Sequence, residues 1–241
     1  GEGNVEGVFE FGGRMMGAYP ESERNVDVLQ TMGKFALDAA FFERAAFYLE
    51  EYNKRFSKRK DAAQLLTSAA NIYFYLGDYE RAAKTFRQVR SVGNRQQVRE
   101  ANQRLMEIYA ESEDWEQLAR VSQTALEQNR NWLGASFHLG LAYSKQGKDD
   151  LALRELQRSS QMSPGGEEFD QAAQARSLFE LGRLAQKSYD SIQFSPDSNL
   201  QEVLGTKQQY LNEISEVYGR AINTGRGKWV IASAHGLARL N

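Results

Sequence analysis

The sequence predicts an all-α solenoid, a stack of antiparallel helix pairs, and two observations carry that prediction. From about residue 25 onward apolar residues recur with the helical period, and the 241 residues include only three prolines, which break helix interiors. Different residue types also recur at one interval, since Tyr73, Tyr109 and Tyr143 lie 36 and 34 residues apart and Gly77 and Gly147 lie 70 apart. Recurrence at such an interval is the signature of repeat architectures.

Residues 70–89 show one repeating unit, and residues 135–164 are its most regular copy. An apolar helix is expected to end at Gly77-Asp78, because glycine readily adopts the left-handed conformation that stops a helix. A second helix is expected to begin at Tyr79 and to bury Ala82. This pattern resembles the tetratricopeptide repeat, a motif of about 34 residues folded as two antiparallel helices.

The resemblance implies a right-handed tetratricopeptide-repeat superhelix of about five repeats over residues 25–241. The predicted repeats are 26–59, 63–96, 99–132 and 133–166, followed by a degenerate repeat at 172–223 with a loop inserted at 190–199, and a half repeat at 228–241. It also implies small residues where paired helices approach each other closely. These residues are Gly33, Ala45, Ala70, Ala82, Gly140, Ala152 and Gly182. The third repeat departs from the pattern, with Met106 and Leu118 at these positions and no turn glycine.

Residues 1–24 are rich in glycine and lack a helical period, although Phe9 and Phe11 make them too apolar for a simple solvated linker. Two interpretations stay open: a linker or tail from a preceding domain, or an arm that packs on the helices and inside their groove. Because the sequence starts without methionine and ends within a helical pattern, we expect it to be part of a longer protein.

Composition argues against several classes of function. The chain has no cysteine, which excludes disulfides and thiolate chemistry, and its net charge of −2 creates no field that attracts nucleic acid. No apolar run reaches the ~18 residues of a membrane span. His138 and His235 lack metal-site spacing, and the glycine-rich stretches 12–17 and 224–229 lack the phosphate-loop pattern. We therefore expect no catalytic residue, metal or cofactor, while a cytoplasmic and a periplasmic location are both compatible with the composition.

In the family that this chain resembles, the first helix of each pair lines a concave groove. The groove residues that the resemblance implies are Lys34, Asn71, Phe74, Gln103, Glu107, Phe137, Leu141, Arg176, Phe179 and Arg183. The carboxylate clamp of chaperone-binding members is disfavoured, because Thr67 stands where its lysine should be and Gly134 and His138 replace its later cations. An equally open interpretation is that Phe137 and Phe179 pack between repeats.

These observations predict a protein-interaction scaffold that binds a peptide or protein segment in its groove, as part of a larger assembly. The alternative is a self-regulated domain whose groove is occupied by its own residues 1–24 until a partner displaces them. Self-association through the ends of the solenoid is a further alternative. Four residues near the C-terminus, Trp229, Ala232, Gly236 and Leu237, also resemble the large repeat proteins of bacterial motility and envelope complexes.

Overall fold

A computed structural model describes residues 5–20, 22–195 and 199–239, and every regular element in these ranges is a helix, as the sequence predicts. The helices are α1 (Val5–Ala18), α2 (Asn25–Asp38), α3 (Phe42–Phe56), α4 (Ala62–Tyr75), α5 (Tyr79–Val92), α6 (Arg95–Glu111), α7 (Trp115–Gln128), α8 (Leu133–Lys145), α9 (Asp149–Gln161), α10 (Glu168–Ser191), α11 (Leu200–Asn223) and α12 (Gly227–Ala238). They divide into two compact units, Gly1–Ile108 and Tyr109–Asn241, with the boundary inside α6.

Unit 1 contains the hairpins α2–α3 and α4–α5, and α3 also contacts α4. Leu29, Leu66 and Phe86 are fully buried between these helices. Hydrogen bonds connect the first helix pair to the second. The Tyr52 hydroxyl of α3 donates to the Asp61 carboxylate at 2.9 Å, and Gln30 Nε2 of α2 donates to the same carboxylate at 2.9 Å. Asp61 immediately precedes α4, so one carboxylate connects three helices.

A second carboxylate, that of Glu50 on α3, connects the two hairpins of unit 1. It accepts hydrogen bonds from the Tyr73 hydroxyl at 3.1 Å and from the Thr85 hydroxyl at 2.6 Å. Burial, together with the Glu50 charge, raises the pKa of Tyr73 to about 12. The phenol therefore stays protonated and keeps its donor role at any physiological pH.

Helix α1 corrects the expectation that the N-terminal segment lacks helical structure. Phe9 is only 8% exposed, and its ring stacks on Tyr48 of α3 at 5.7 Å and meets Phe35 of α2 edge-on at 5.6 Å. A Cβ on Gly12 would overlap the Met32 side chain, so glycine allows α1 to approach α2 closely. The described part of the segment packs on α2 and α3. Residues 1–4 and Glu21 lie outside the described ranges.

Unit 2 shows the contact pattern of a helical solenoid. Helix α8 contacts α7, its own partner α9 and the next first helix α10, and α10 in turn contacts α9, α11 and α12. The small residues expected at the close approaches are buried. A Cβ on Gly140 would lie 2.8 Å from Leu156 Cγ of α9, which is closer than side chains tolerate.

The turns within the pairs use the left-handed backbone conformation that the sequence predicts at glycine. Gly77 and Gly147 have φ values of +77° and +73°. Ala40 and Glu113 adopt the same conformation, at φ +60° and +55°, in the turns that lack glycine. The third pair therefore keeps the repeat's turn with a glutamate, at a conformational cost of about 1 to 2 kcal/mol.

The fifth pair differs from the others in length. Helices α10 and α11 have 24 residues each, against 13 to 17 for α2 to α9. Helix α10 begins at Glu168, before the predicted start of the degenerate repeat at 172, and ends at Ser191. Of the loop predicted at 190–199, residues 196–198 lie outside the described ranges. Ala185, Ile214 and Tyr218 form their buried contact.

Candidate functional site

In unit 1, the predicted groove residues of α4 are joined to α6 by polar contacts. Asn71 on α4 donates from Nδ2 to Glu100 Oε1 on α6 at 2.8 Å, while its Oδ1 is buried without a hydrogen-bond partner in the described part of the chain. Lys34 on α2 is exposed. Asn71 is therefore engaged within the protein, and its role in this structure is to connect two helices.

The remaining predicted residues of unit 1 surround an arginine that sequence reasoning missed. The Arg104 guanidinium lies 4.8 Å from the centroid of the Phe74 ring and pairs with Glu107 at 2.8 Å. It also donates to the Tyr75 hydroxyl at 3.2 Å, and Gln103 donates to Glu107 at 3.3 Å. Arg104 lies one position after Gln103, outside the positions assigned to the groove. The glutamate three residues later was the signal that could have identified it.

In unit 2, two predicted groove residues are not accessible. Phe137 is 1% exposed and Leu141 is fully buried, and residues 133–142 of α8 are buried without exception. Of the two interpretations of Phe137, packing between helices is the one this structure contains. The reason is that α8 contacts α7, α9 and α10 and so has helices on all its faces.

Arg176 covers the buried Phe137 ring. Its guanidinium lies 5.3 Å from the centroid of Phe137 on α8 and 5.3 Å from that of Trp229 on α12. Its Nε is buried and has no hydrogen-bond partner among the residues that the structure describes. Burial lowers the pKa of Arg176, although the charges of Glu180 and Glu111 act in the opposite direction. Trp229 was not among the predicted groove residues, because it belongs to the following half repeat.

Phe179 completes this group of rings. It is partly buried, with its ring centroid 5.4 Å from that of Trp229 and 5.9 Å from that of Tyr218 on α11. We call Phe137, Arg176, Phe179 and Trp229 the arginine–aromatic cluster. Arginine over aromatic faces is a common arrangement at interaction surfaces, because the rings hold the cation without hydrogen-bonding to it.

The next turn of α10 carries the last predicted groove residue, Arg183. Its Nε donates to Glu180 Oε2 at 2.8 Å and its Nη2 donates to Ser144 Oγ of α8 at 2.9 Å. Glu180 is 6% exposed, so this is a largely buried carboxylate with a direct cationic partner. The two arginines of α10 therefore differ, since Arg183 has a carboxylate partner and Arg176 has none among the described residues.

His138 lies beside the cluster, and contacts within the fold hold its ring. Its Nδ1 is 2.7 Å from the Gly134 carbonyl oxygen, and its ring stacks on Phe169 at 5.3 Å. Burial lowers its pKa to about 4. Within residues 5–20, 22–195 and 199–239, no group of three or more histidine, cysteine, aspartate or glutamate side chains could hold a metal ion. In the same ranges no helix is both long enough and apolar enough to cross a membrane.

Comparisons with known proteins identify the repeat. Residues 63–89 match the family model described as tetratricopeptide repeat. None of the curated proteins matches the chain in sequence. The resemblance to the tetratricopeptide repeat is thereby confirmed for one of the predicted repeats, 63–96.

Solved structures agree with the fold. MamA 41-end from Desulfovibrio magneticus RS-1 superposes with a TM-score of 0.52 at 16% identity, over 81% of this chain and 96% of that chain. YrrB, described as a TPR protein with an unusual peptide-binding site, superposes with a TM-score of 0.53 at 17% identity, over 88% of this chain and 96% of that chain. BtubC (BKLC) from P. vanneervenii superposes with a TM-score of 0.54 at 14% identity, over 93% of this chain and 89% of that chain. At these identities the likeness shows the fold alone, a solenoid of the tetratricopeptide-repeat type.

Proposed function

We propose that this chain, a solenoid of the tetratricopeptide-repeat type, is an interaction scaffold that binds a peptide or protein segment along the first helices of its pairs. The partner is a protein or peptide within a larger assembly, and we propose no enzymatic activity for the chain. The repeat supports an interaction role, because the fold presents side chains of consecutive helices along one surface.

The observation that carries this proposal is the arginine–aromatic cluster. Tryptophan and arginine are enriched among the residues that dominate protein interfaces, and three helices of unit 2 contribute to this one cluster. The cluster has an incompletely satisfied cation beside apolar rings, which suits an incoming segment that offers both a polar and an apolar group. YrrB, a structural relative, is described as having a peptide-binding site, which is compatible with such a role here.

Site-specific photocrosslinking in cells tests which helices contact the partner. A photoreactive amino acid would replace an exposed or partly exposed residue of a first helix, at Lys34, Gln64 or Arg183. Matched control positions on second helices are Lys84, Gln123 and Arg154, all exposed. We expect protein adducts to form at the first-helix positions with several-fold higher yield than at the control positions.

Equal yields at both sets of positions, or adducts from the second helices only, would contradict the proposal. The same variants report on self-association, since an adduct of the chain with itself has twice the mass of the monomer. Adducts of that mass alone would replace the scaffold proposal by a self-assembly role.

The self-regulated alternative remains a second proposal, and α1 provides its test. Phe9→Ala removes the buried ring that holds α1 against α2 and α3, whereas Phe11→Ala changes a side chain that is 67% exposed. If residues 1–24 compete with the partner, Phe9→Ala should raise the crosslinking yield at the first helices several-fold. If the chain is an open scaffold, the yield should be the same in both variants.

A further inference from the structure

We propose that one edge of unit 1 is a docking surface for an anionic lipid bilayer, on which the chain adsorbs peripherally. The inference goes beyond the proposed function, because it concerns the turns at the ends of the helices and involves no groove residue. It concerns unit 1 alone.

The surface is the edge of unit 1 at which α3 and α5 end and α4 and α6 begin. Gln97 Nε2, in the first turn of α6, donates to Gln64 Oε1, in the first turn of α4, at 3.2 Å, so both helices begin at this edge. The connection between α1 and α2 reaches the same edge, because Pro20 lines a recess there together with Lys54 and Phe56. We call this edge of unit 1 the basic edge.

The basic edge carries a local positive charge that the composition of the whole chain conceals. Residues 54–99 contain eleven lysine and arginine residues against three aspartate and glutamate residues, in a chain of net charge −2. Lys58 and Lys60, in the turn before α4, and Arg95, at the start of α6, are exposed. None of these three side chains forms an ion pair with a residue in the described ranges. Their charge is therefore available to an external partner.

Helix stability explains only part of this charge. Lys54 and Arg55 lie in the last turn of α3, where a cation interacts favourably with the helix dipole, and both pair with Glu51. Arg95 is instead the first residue of α6, where the dipole repels a cation, and the first turn of α6 contains no acid. Asp61, the acid of the turn before α4, already pairs with a neighbouring arginine. An external negative surface would offset this repulsion.

Exposed apolar side chains stand among these cations. Tyr19, between α1 and α2, is 67% exposed, and Val92, the last residue of α5, is 48% exposed. Phe56, at the end of α3, is partly buried. The three belong to successive connections between helices, so they are spread along the edge. Tyrosine rings and apolar groups between lysine and arginine side chains are typical of surfaces at the boundary of water and lipid.

A bilayer fits this combination better than a nucleic acid or a protein does. A nucleic-acid backbone supplies charge, but single strands bind by stacking successive bases on aromatic rings, and Tyr19 is an isolated exposed ring here. A stable protein interface has a contiguous apolar centre, whereas cations separate Tyr19 from Val92 along this edge. An anionic bilayer attracts each lysine and arginine near it and accommodates apolar groups at its interface.

Binding of the whole chain to lipid vesicles tests the proposal. Vesicles of phosphatidylcholine alone would be compared with vesicles that contain about a third phosphatidylserine, at low and at high salt. One variant combines Lys58→Gln, Lys60→Gln and Arg95→Gln. The matched control removes the same charge at exposed positions within helices, through Lys34→Gln, Lys84→Gln and Arg154→Gln.

We expect the wild type and the control variant to bind the anionic vesicles at low salt and to be released by high salt. The basic-edge variant should bind about a hundredfold more weakly, because each cation near an anionic membrane contributes roughly a factor of five. Vesicles of phosphatidylcholine alone should retain none of the proteins. Both variants should keep the urea midpoint of the wild type, since the substituted side chains are exposed.

Fluorescent labels test which surface meets the lipid, and they leave the cations in place. The chain has no cysteine, so Tyr19→Cys or Val92→Cys provides a single attachment point for an environment-sensitive dye. Ile231→Cys, at a position of α12 that is 73% exposed, is the control. We expect the dye to brighten several-fold on anionic vesicles at the first two positions and to stay unchanged at the third.

No binding to anionic vesicles, an equal loss of binding in both triple variants, or the same dye response at all three positions would each overturn the proposal. Duplex DNA or single-stranded RNA that binds more tightly than the vesicles, and loses affinity only in the basic-edge variant, would also overturn it, because the edge would then be a nucleic-acid site. The same pattern with polyglutamate would assign the edge to an acidic protein segment instead of a bilayer.

Discussion

His138 illustrates how one residue's surroundings decide its chemistry. The ring is 7% exposed, it is stacked on Phe169, and its Nδ1 is held by the Gly134 carbonyl of its own helix. Desolvation lowers its pKa from the ordinary 6.5 to about 4, and the Arg176 charge acts in the same direction. The histidine is therefore neutral at pH 7, and its ring serves as a packing group in the contact between α8 and the start of α10.

The depressed pKa of His138 predicts a loss of stability in acid. Because the folded-state pKa lies below the unfolded one, the unfolded chain takes up the proton first as pH falls. The stability from this histidine is complete above about pH 6.5 and is lost as pH falls towards 4, by about 3 kcal/mol in total. Urea unfolding at pH 7.5 and 4.5 should show a drop that His138→Phe reduces by about 2 to 3 kcal/mol.

The exposed His235 of α12 supplies the matched control for that measurement. His235→Gln should retain the pH dependence of the wild type, because it removes an exposed imidazole and leaves the buried His138 in place. A His138→Phe protein with the full wild-type dependence would show that the ring is accessible to protons in the folded state.

Among the helices, the packing of α10, α11 and α12 depends on two glycines that contact one ring. A Cβ on Gly182 of α10 would overlap the Tyr218 ring of α11, and a Cβ on Gly236 of α12 would lie 2.5 Å from Cε2 of the same ring. Tyr218 is 1% exposed, so the ring has no free space into which it could move. The sequence pattern identified Gly182 as a close-approach position, but it did not identify the tyrosine that approaches it.

Gly182→Ala should therefore destabilise the protein by about 1 to 3 kcal/mol, because the overpacking outweighs the gain in helix propensity. Gly205→Ala is the matched control, since Gly205 lies in α11 with nothing within 4 Å of an added Cβ. There the propensity gain acts alone and should stabilise by up to about 1 kcal/mol. Chemical denaturation of both variants measures the difference, and equal effects would contradict the close approach.

Helix α1 shows where element prediction from sequence was wrong. Four glycines within residues 5–18 weaken helix propensity, and they obscured the apolar face that Val8, Phe9, Met15 and Met16 form at helical spacing. The helix is stabilised by tertiary contacts instead, because Phe9 inserts among Phe35, Phe41 and Tyr48 while Arg44 lies 4.8 Å over its ring. Propensity is a weak prior where packing supplies the stability.

In the whole molecule, the distribution of stability follows from which helices contact each other. Within each unit a helix contacts its neighbours along the chain, and each unit has its own buried residues. Stability in such architectures is approximately a sum of repeat and nearest-neighbour contributions. A substitution in the core of one helix pair should therefore destabilise that pair and its neighbours, and leave distant helices as stable as in the wild type.

Leu156→Ala tests this locality. Leu156 of α9 is fully buried against Gly140, so its truncation should cost about 2 to 5 kcal/mol. We expect amide hydrogen exchange to accelerate in α8, α9 and α10 and to stay at the wild-type rate in α2, α3 and α4. Leu153→Ala, on the same helix but 36% exposed, should change neither region. Equal acceleration throughout both units would indicate a single cooperative fold.

The helical repeat could be predicted from the sequence alone. Periodic apolar residues, turn glycines such as Gly77 and Gly147, and small residues such as Gly140 and Ala152 act locally or at a fixed interval, so they are visible without coordinates. In the third pair, whose turn has no glycine, Glu113 takes the left-handed conformation that glycine would have taken.

Which of the predicted groove residues are exposed depends on contacts between helices and could not be predicted from the sequence. Phe137 and Leu141 satisfy the same positional rule as Arg176 and Phe179, but α8 is enclosed by three helices and α10 leaves part of its face open. Arg104 contacts Phe74, and Trp229 contacts Arg176, through helices that are not consecutive in the chain. Burial and pairing depend on such contacts, and for that reason the sequence pattern could not predict that Arg176 Nε is buried without a hydrogen-bond partner in the described ranges.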